Sequence, residues 1–533
     1  MAHFYKTPAK MKSTWAEVHA AWKRVPSIKV AAAKGEMETS RGHAHPAHAL
    51  VDALLDSAPV YRNLSVNADA TLNMLRYLYE HMRCGILVCI RNNAVQLLLP
   101  FVNRKYTNTW HGRVRLVAHG VGAATVAQYA AAVQEPRADA MLPLAQWWLN
   151  GGTVCNIEAA GGWGTAHLDV LRAQLDAAAA AAAAAGTPLP DADFFLNKRD
   201  YPQLRAALHA EPYARFTGEP ALSRERYSCY APVFSFYTSV PGAATPLGMA
   251  DLPMPTPDDW AAACVDADHR RGCDAVDAYP DASEALRKIA VFRGSATGVG
   301  VTPETNVRRR LAAFAARNAD IVDVGIVSWN DSRDRVVATT PDGAMVITRA
   351  SADARAPTAR RMTLAEQAAT FAYFLYADGH AAAGRYGTLM HLGRVILRVE
   401  TEQPECGYVW AFAGTVPAFI PRDDDVAAAR LSVPDDADHF VISADLSNLR
   451  ATVEFLRAHV DTARRVAACA RSRAPTKARI TQYWRHAIAA VAARQAPAFA
   501  ASDGAGGVAP RAWFAAADDA YAATSTHATA PLV

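Results

Sequence analysis

The stretch FAYFLYADGHAAAGRYGTLMHLGRVILRV, residues 371–399, decides the fold. Its aromatic opening, 371–377, reads as a strand. Gly379 breaks the run, residues 381–392 read as a helix, Gly393 stops it, and 395–399 return to strand. A strand, a helix and a second strand in this order form a β-α-β unit. Its two strands are expected to be parallel and joined by a right-handed crossover.

The same alternation extends outward. Residues 288–292 read as a strand that runs into Arg293-Gly294-Ser295, and Pro303 then opens a helix through about residue 317 in the favoured first position. Residues 321–328 and 440–443 read as further strands, with Asp445 or Ser447 capping the helix after the second. This pattern predicts a doubly wound α/β sheet.

The N-terminal half is less regular. Residues 47–55 read as a short helix, and 72–82 as a second, with Leu72, Leu75, Leu78 and Tyr79 on one face. The apolar runs 85–90 and 94–101, split by Asn92-Asn93, read as a β-hairpin or two neighbouring strands. Residues 169–185 read as a helix ending in nine alanines. Alanine costs a helix almost nothing, so that run carries little functional information. Residues 194–196 read as a short buried strand, and the proline- and glycine-rich segment 241–257 marks a boundary near 250. The expected organisation is a polar arm at 1–45, Rossmann-like domains at 46–250 and 251–495, and a disordered tail at 496–533.

The chain has 533 residues, is 51% hydrophobic and 20% charged, and carries a net charge of +4. That charge is too weak to suggest a nucleic-acid partner. The opening MAHFYKTPAKMKSTW has no apolar core of a signal peptide, and no long uncharged apolar stretch predicts a membrane span. A soluble protein that is not secreted, in a host cytoplasm or a virion, is the expectation. The eight cysteines form no C-x-x-C pair and show no zinc-ligand spacing.

Three segments can carry chemistry. Asp200, in NKRDYPQ (197–203), follows a buried strand, and ligands of α/β sheets bind outside the carboxyl ends of strands. The alternative is a surface turn in which Asp200 pairs with Arg199 or caps local backbone. In FRGSATG (292–298), glycine lets the backbone approach an anion, successive N–H groups can form a phosphate nest, and Arg293 can add a bidentate contact. A tight turn with a structural arginine fits equally. In DGHAAAGR (378–385), the helix start offers free N–H groups to a phosphate, and Arg385 lies one turn in. The segment matches neither G-x-G-x-x-G nor the P-loop pattern. Two such domains facing across a cleft would bring the three segments together.

With LNKRDYPQ (196–203), PVFSFYTS (232–239), VFRGSATG (291–298), DGHAAAGRYGTLMHLGRVIL (378–397) and ISADLSNLRATVEFLRAH (442–459) in this order, the chain resembles glycosyltransferase family 90. That family comprises protein O-glucosyltransferases and capsule-associated xylosyltransferases. The segment 83–110 further resembles the branch carried by large DNA viruses. The resemblance implies a GT-B-like α/β fold and a UDP-sugar donor. It also implies a protein or glycan acceptor and an inverting, metal-independent transfer of a hexose or pentose, with no bound cofactor. It implies Asp200 as the catalytic base, and Arg293 and Arg385 as ligands of the UDP phosphates. Gly294, Ser295, Thr297, Gly379 and Ala382 would complete the donor pocket. The loop reads Arg293-Gly-Ser-Ala-Thr where the family has R-G-S-R-T, and Ala383-Gly384 stands where eukaryotic members have serine and an aromatic. A catalytically inactive virion or scaffold protein with this fold is the competing reading.

Four other features are set aside. His43, His45 and His48 read as a mobile loop despite metal-like spacing. Asp191-Ala-Asp193 precedes its strand instead of following one, Asp423–Asp425 reads as a solvated loop, and the arginines from Arg464 to Arg485 as a solvated helix face.

Overall fold

The computed structural model describes residues 45–67, 70–78, 84–102, 114–119, 154–159, 165–197, 202–204, 229–238, 249–268, 286–298, 302–329, 335–339, 345–348, 358–379, 381–400, 407–421 and 433–504. The arm at 1–44, residues 79–83 and the tail from 505 lie outside them.

Helices α1 (Ala47–Ser57) and α2 (Ala70–Tyr77) precede the first sheet. Strands β1 (Cys84–Arg91) and β2 (Ala94–Val102) form the expected hairpin, antiparallel, with Arg91 opposite Ala94. Asn92 and Asn93 turn it with φ of 51° and 59°, the left-handed pair that a tight hairpin needs and asparagine tolerates. Strands β3 (Val114–His119) and β4 (Val154–Ala159), helix α3 (Thr165–Ala184), and strands β5 (Ala192–Asn197), β6 (Val233–Ser235) and β7 (Leu252–Pro253) follow. The seven strands run in the order β3-β4-β2-β1-β5-β6-β7. The sheet is mixed: β1 is antiparallel to β2 and β5, whereas β5, β6 and β7 are mutually parallel.

After helix α4 (Pro257–Asp268) comes a second sheet, built from β8 (Arg287–Ser295) and β9 (Val322–Ser328) around helix α5 (Val307–Ala315). A separate antiparallel hairpin, β10 (Arg335–Thr339) and β11 (Met345–Thr348), precedes helix α6 (Leu364–Thr370). Then follow β12 (Phe371–Tyr376), helix α7 (Tyr386–His391), β13 (Val395–Val399), helix α8 (Val409–Phe412), β14 (Pro417–Ala418) and β15 (His439–Ile442). All five pairings in the order β14-β15-β13-β12-β8-β9 are parallel. The aromatic strand explains itself in packing: Tyr373 and Leu375 enter the core of this sheet, and Phe374 and Tyr376 enter a core shared with the first.

Helices α9 (Leu449–Ala458), α10 (Val460–Arg473) and α11 (Lys477–Gly504) close the described chain. Sequence alone assigns α11 to the second domain, with a tail from 496. In the structure α11 continues through Pro497 to Gly504 and lies on the first sheet. The Trp484 indole donates to Gln174 on α3 at 2.8 Å, and Gln495 brackets the backbone of Asp193, accepting from its N–H and donating to its carbonyl. Tyr483 donates to the carbonyl of Pro253, which stands on β7 just past the boundary expected near 250.

Three helix starts also differ from expectation. Pro303 lies in a turn, and α5 begins at Val307 because the Asn306 side chain accepts from the N–H groups of Arg308 and Arg309. The helix expected at 381–392 begins at Tyr386, because Tyr376 ties down the Ala383 carbonyl at 2.8 Å and Gly379 donates to Ala381, leaving 381–385 as a turn. Before α9, Asp445 takes the N–H of Ser447 and Asn448 that of Ser443, so neither expected residue caps the helix itself.

Candidate functional site

The carboxyl ends of β8, β9 and β12 lie side by side. Ser295 ends β8, and its hydroxyl accepts from that of Ser328 at the end of β9, at 2.6 Å. Gly294 pairs with Ile326 in the same ladder. Thr297 follows β8, and Gly379 follows β12 so closely that a Cβ there would stand 2.7 Å from the Thr297 hydroxyl. Only glycine fits that approach. Ala382 is buried in the turn beyond.

Arg308, on the first turn of α5, ties these ends together. Its guanidinium donates to the carbonyls of Ser295 at 3.0 Å, Ala377 at 3.1 Å and Asp378 at 2.9 Å, and to the Thr297 hydroxyl at 2.5 Å. Burial, ahead of the neighbouring Arg385, brings Arg308 down to about 10, against the opposing charge of Asp378. Sequence reasoning missed this residue. Its only trace there is Asn306-Val307-Arg308, an N-cap followed two places on by an arginine.

Arg385 stands at the N-cap position of α7, without a side-chain capping bond, in place of standing one turn inside the helix. It donates to the Arg293 carbonyl at 2.9 Å, and its guanidinium carbon stands 5.1 Å from the centre of the Phe292 ring. Arg308 approaches the same ring to 5.6 Å. Burial lowers the pKa of Arg385. Among the described residues neither guanidinium has a carboxylate within ion-pair distance.

The Arg293 side chain goes elsewhere. Successive residues of a strand face opposite sides of the sheet. Arg293 therefore leaves the Phe292 side, passes over Gly325 and pairs with Asp323 on β9 at 2.7 Å. The structure thus brings together Ser295, Thr297, Gly379, Arg385 and the added Arg308, and engages the Arg293 guanidinium with Asp323.

Asp200 lies outside the described residues. Both flanks of its segment are anchored. On one side the Asn197 amide donates to the Ser235 hydroxyl at 2.9 Å. On the other, the N–H groups of Gln203 and Leu204 donate to the Asp251 carboxylate at 2.9 and 2.7 Å, and Ser235 donates to it as well. Burial pushes Asp251 up to about 7, against the bonds that favour its ionised form.

The other features resolve as follows. Asp193 is buried within β5 and paired with Arg91 at 2.8 Å, so this carboxylate is structural. His45 and His48 correct the expected mobile loop. His45 stacks on Trp410 with ring centres 4.5 Å apart, and His48 on His486 at 4.2 Å. The apolar faces of imidazole pack as aromatics, which metal-like spacing hides. His43 and Asp423–Asp425 lie outside the described residues. Among the described residues no cluster of three or more His, Cys, Asp or Glu side chains is placed to hold a metal, and no helix is long and apolar enough to cross a membrane.

No protein-family profile matches the chain. It is similar to three proteins of large DNA viruses. It is 27% identical to uncharacterized protein 027R of Frog virus 3 (isolate Goorha), across 72% of this chain and 37% of that protein. It is 24% identical to uncharacterized protein 179R of Invertebrate iridescent virus 6, across 66% and 32%. It is 23% identical to uncharacterized protein 035R of Invertebrate iridescent virus 3, across 64% and 30%. The chain spans about a third of the length of these relatives.

Proposed function

We propose that the protein is an inverting glycosyltransferase that transfers a sugar from a UDP-sugar to an acceptor hydroxyl of a protein or glycan. One observation carries the reading: Arg308 and Arg385, neither of them ion-paired with a carboxylate among the described residues, bring two positive charges against one ring at the carboxyl edge of a parallel sheet. Burying like charges together is costly unless an anion joins them. A diphosphate suits the site, since this edge is where α/β sheets bind ligands. The five segments that resemble glycosyltransferase family 90 supply the choice of UDP-sugar among diphosphates.

In this reading the two sheets act as the halves of a GT-B-like enzyme. The acceptor oxygen attacks the anomeric carbon as its proton passes to the Asp200 carboxylate. The bond from that carbon to the phosphate oxygen breaks, and its electron pair leaves with UDP. Arg385 meets the developing charge directly. Arg308, already engaged with four protein oxygens, holds the Ser295–Thr297 and Asp378–Gly379 segments in place. The network of Asn197, Ser235 and Asp251 fixes both ends of the segment that carries the base. UDP-sugar hydrolysis by the full chain tests the reading: release of UDP that falls in Asp200→Asn supports it, and no hydrolysis of any UDP-sugar opposes it.

A second reading, an inactive virion or scaffold protein with this fold, draws on the Arg293–Asp323 pair. There an arginine that the family resemblance assigns to the donor is bound within the protein. Calorimetry with UDP separates the two, because a scaffold has no need to bind it.

A further inference from the structure

A cavity of about 200 Å³ opens at the other end of α7, where Met390, Trp410, Thr415, Arg473 and Arg479 meet His45. Its polar lining is one-sided. No aspartate or glutamate among the described residues contributes to it. Arg473 is compensated by Asp436 and Asp438, both at 2.9 Å. Arg479 is not: its guanidinium donates to the Ala474 carbonyl at 3.4 Å, and no carboxylate among the described residues pairs with it. His45 accepts the N–H of Ala47 at Nδ1, so its proton sits on Nε2 and adds another donor. Burial, ahead of the nearby His48 and Arg479, holds this imidazole neutral, its pKa lowered to about 3.

The remaining lining is apolar. Met390 and Trp410 are buried side chains, and Pro46, Ala411 and Ala413 complete the walls. A dry cavity of roughly 150 Å³ accepts a benzene molecule, so this one has room for a ring and an attached oxyanion. Apolar walls with a few convergent polar groups characterise small-molecule sites.

We propose that this cavity binds a small organic carboxylate, with its apolar body against Met390 and Trp410 and its oxygens on the Arg479 guanidinium. A guanidinium matches a carboxylate with two parallel N–H bonds, and here it is not shared with an acidic side chain of the described residues. The site is separate from the paired arginines of Arg308 and Arg385 and does not depend on the glycosyltransferase reading.

Calorimetric titration of the full chain with benzoate, and with benzyl alcohol as its uncharged counterpart, tests the proposal. Benzoate is expected to bind saturably at one site, with benzyl alcohol at least about tenfold weaker. Arg479→Gln should weaken benzoate binding by at least about tenfold, the loss expected for hydrogen bonds to a charged group. Ala413→Leu, which fills space in the cavity wall, should weaken both probes, with the melting temperature checking that each variant is folded. No saturable benzoate binding, equal binding of the two probes, or unchanged affinity in folded Arg479→Gln would each overturn the proposal.

Discussion

Arg385 meets Arg293 through the main chain: its guanidinium donates to the Arg293 carbonyl at 2.9 Å, while the Arg293 side chain is paired with Asp323. The two arginines therefore carry unequal roles toward an anion. Arg385→Ala should weaken UDP binding by about 1.5–3 kcal/mol, the range for hydrogen bonds to charged groups. Arg293→Ala should weaken it less. Calorimetry on both variants decides. A larger loss in Arg293→Ala would mean that this side chain leaves Asp323 to reach the ligand.

Asp200→Asn keeps the shape of the side chain and removes its basicity. UDP-sugar hydrolysis should fall by roughly 10²–10⁴-fold, the usual contribution of a positioned base, with UDP affinity nearly intact. Loss of UDP affinity would make Asp200 structural, and full activity would assign the base elsewhere.

Gly387 stands on the first turn of α7 against a buried carboxylate. A Cβ there would come 2.0 Å from Oδ1 of Asp259, whose other oxygen is held by the N–H and hydroxyl of Thr256. Gly387→Ala should destabilise the protein by about 1–3 kcal/mol through overpacking. The cost should shrink in an Asp259→Ala background, and denaturant melts of the four proteins measure that coupling. Additive effects would show that the clash is relieved some other way.

Acid should act through the histidine stack. Burial lowers His45 to about 3 and His48 to about 4, and the unfolded chain has histidines near 6.5. Below about pH 6.5 the unfolded state takes up protons that the folded imidazoles refuse. Their contribution is therefore complete above pH 6.5 and is lost as pH falls toward 4. His48→Phe keeps a ring against His486 and should flatten the fall in melting temperature between pH 6.5 and 4.5. A profile parallel to that of the unaltered chain would exclude His48 as a source of the acid sensitivity.

The elements most legible in the sequence were those whose signals are local. The aromatic run and Gly379 delimit β12, Gly393 separates α7 from β13, and Asn92-Asn93 marks the hairpin, because turn and breaker chemistry acts within a few residues. The alternating strands and helices predicted the parallel sheet for the same reason. What could not be read depends on partners distant in the chain. Arg308 looks like any helix arginine until β8 and β12 bring four oxygens to it. His45 and His48 become aromatic packing only when Trp410 and His486 arrive. The direction of the Arg293 side chain follows from a strand parity that the R-G-S pattern does not encode. Helix α11 carries no mark in its own residues that it belongs with the first sheet.

That last placement bears on how the chain comes to be folded during synthesis. The inner strand β5 precedes α11 by about 300 residues, yet Phe194 and Phe234 bury their rings against Trp484, and Asp193 is bracketed by Gln495. The N-terminal sheet therefore leaves the ribosome long before the helix that covers it. Until then an apolar surface waits uncovered, open to chaperones or to a wrong partner. A nascent chain stopped before residue 477 should accordingly be protease-sensitive in its N-terminal half, although every strand of that half has already been made.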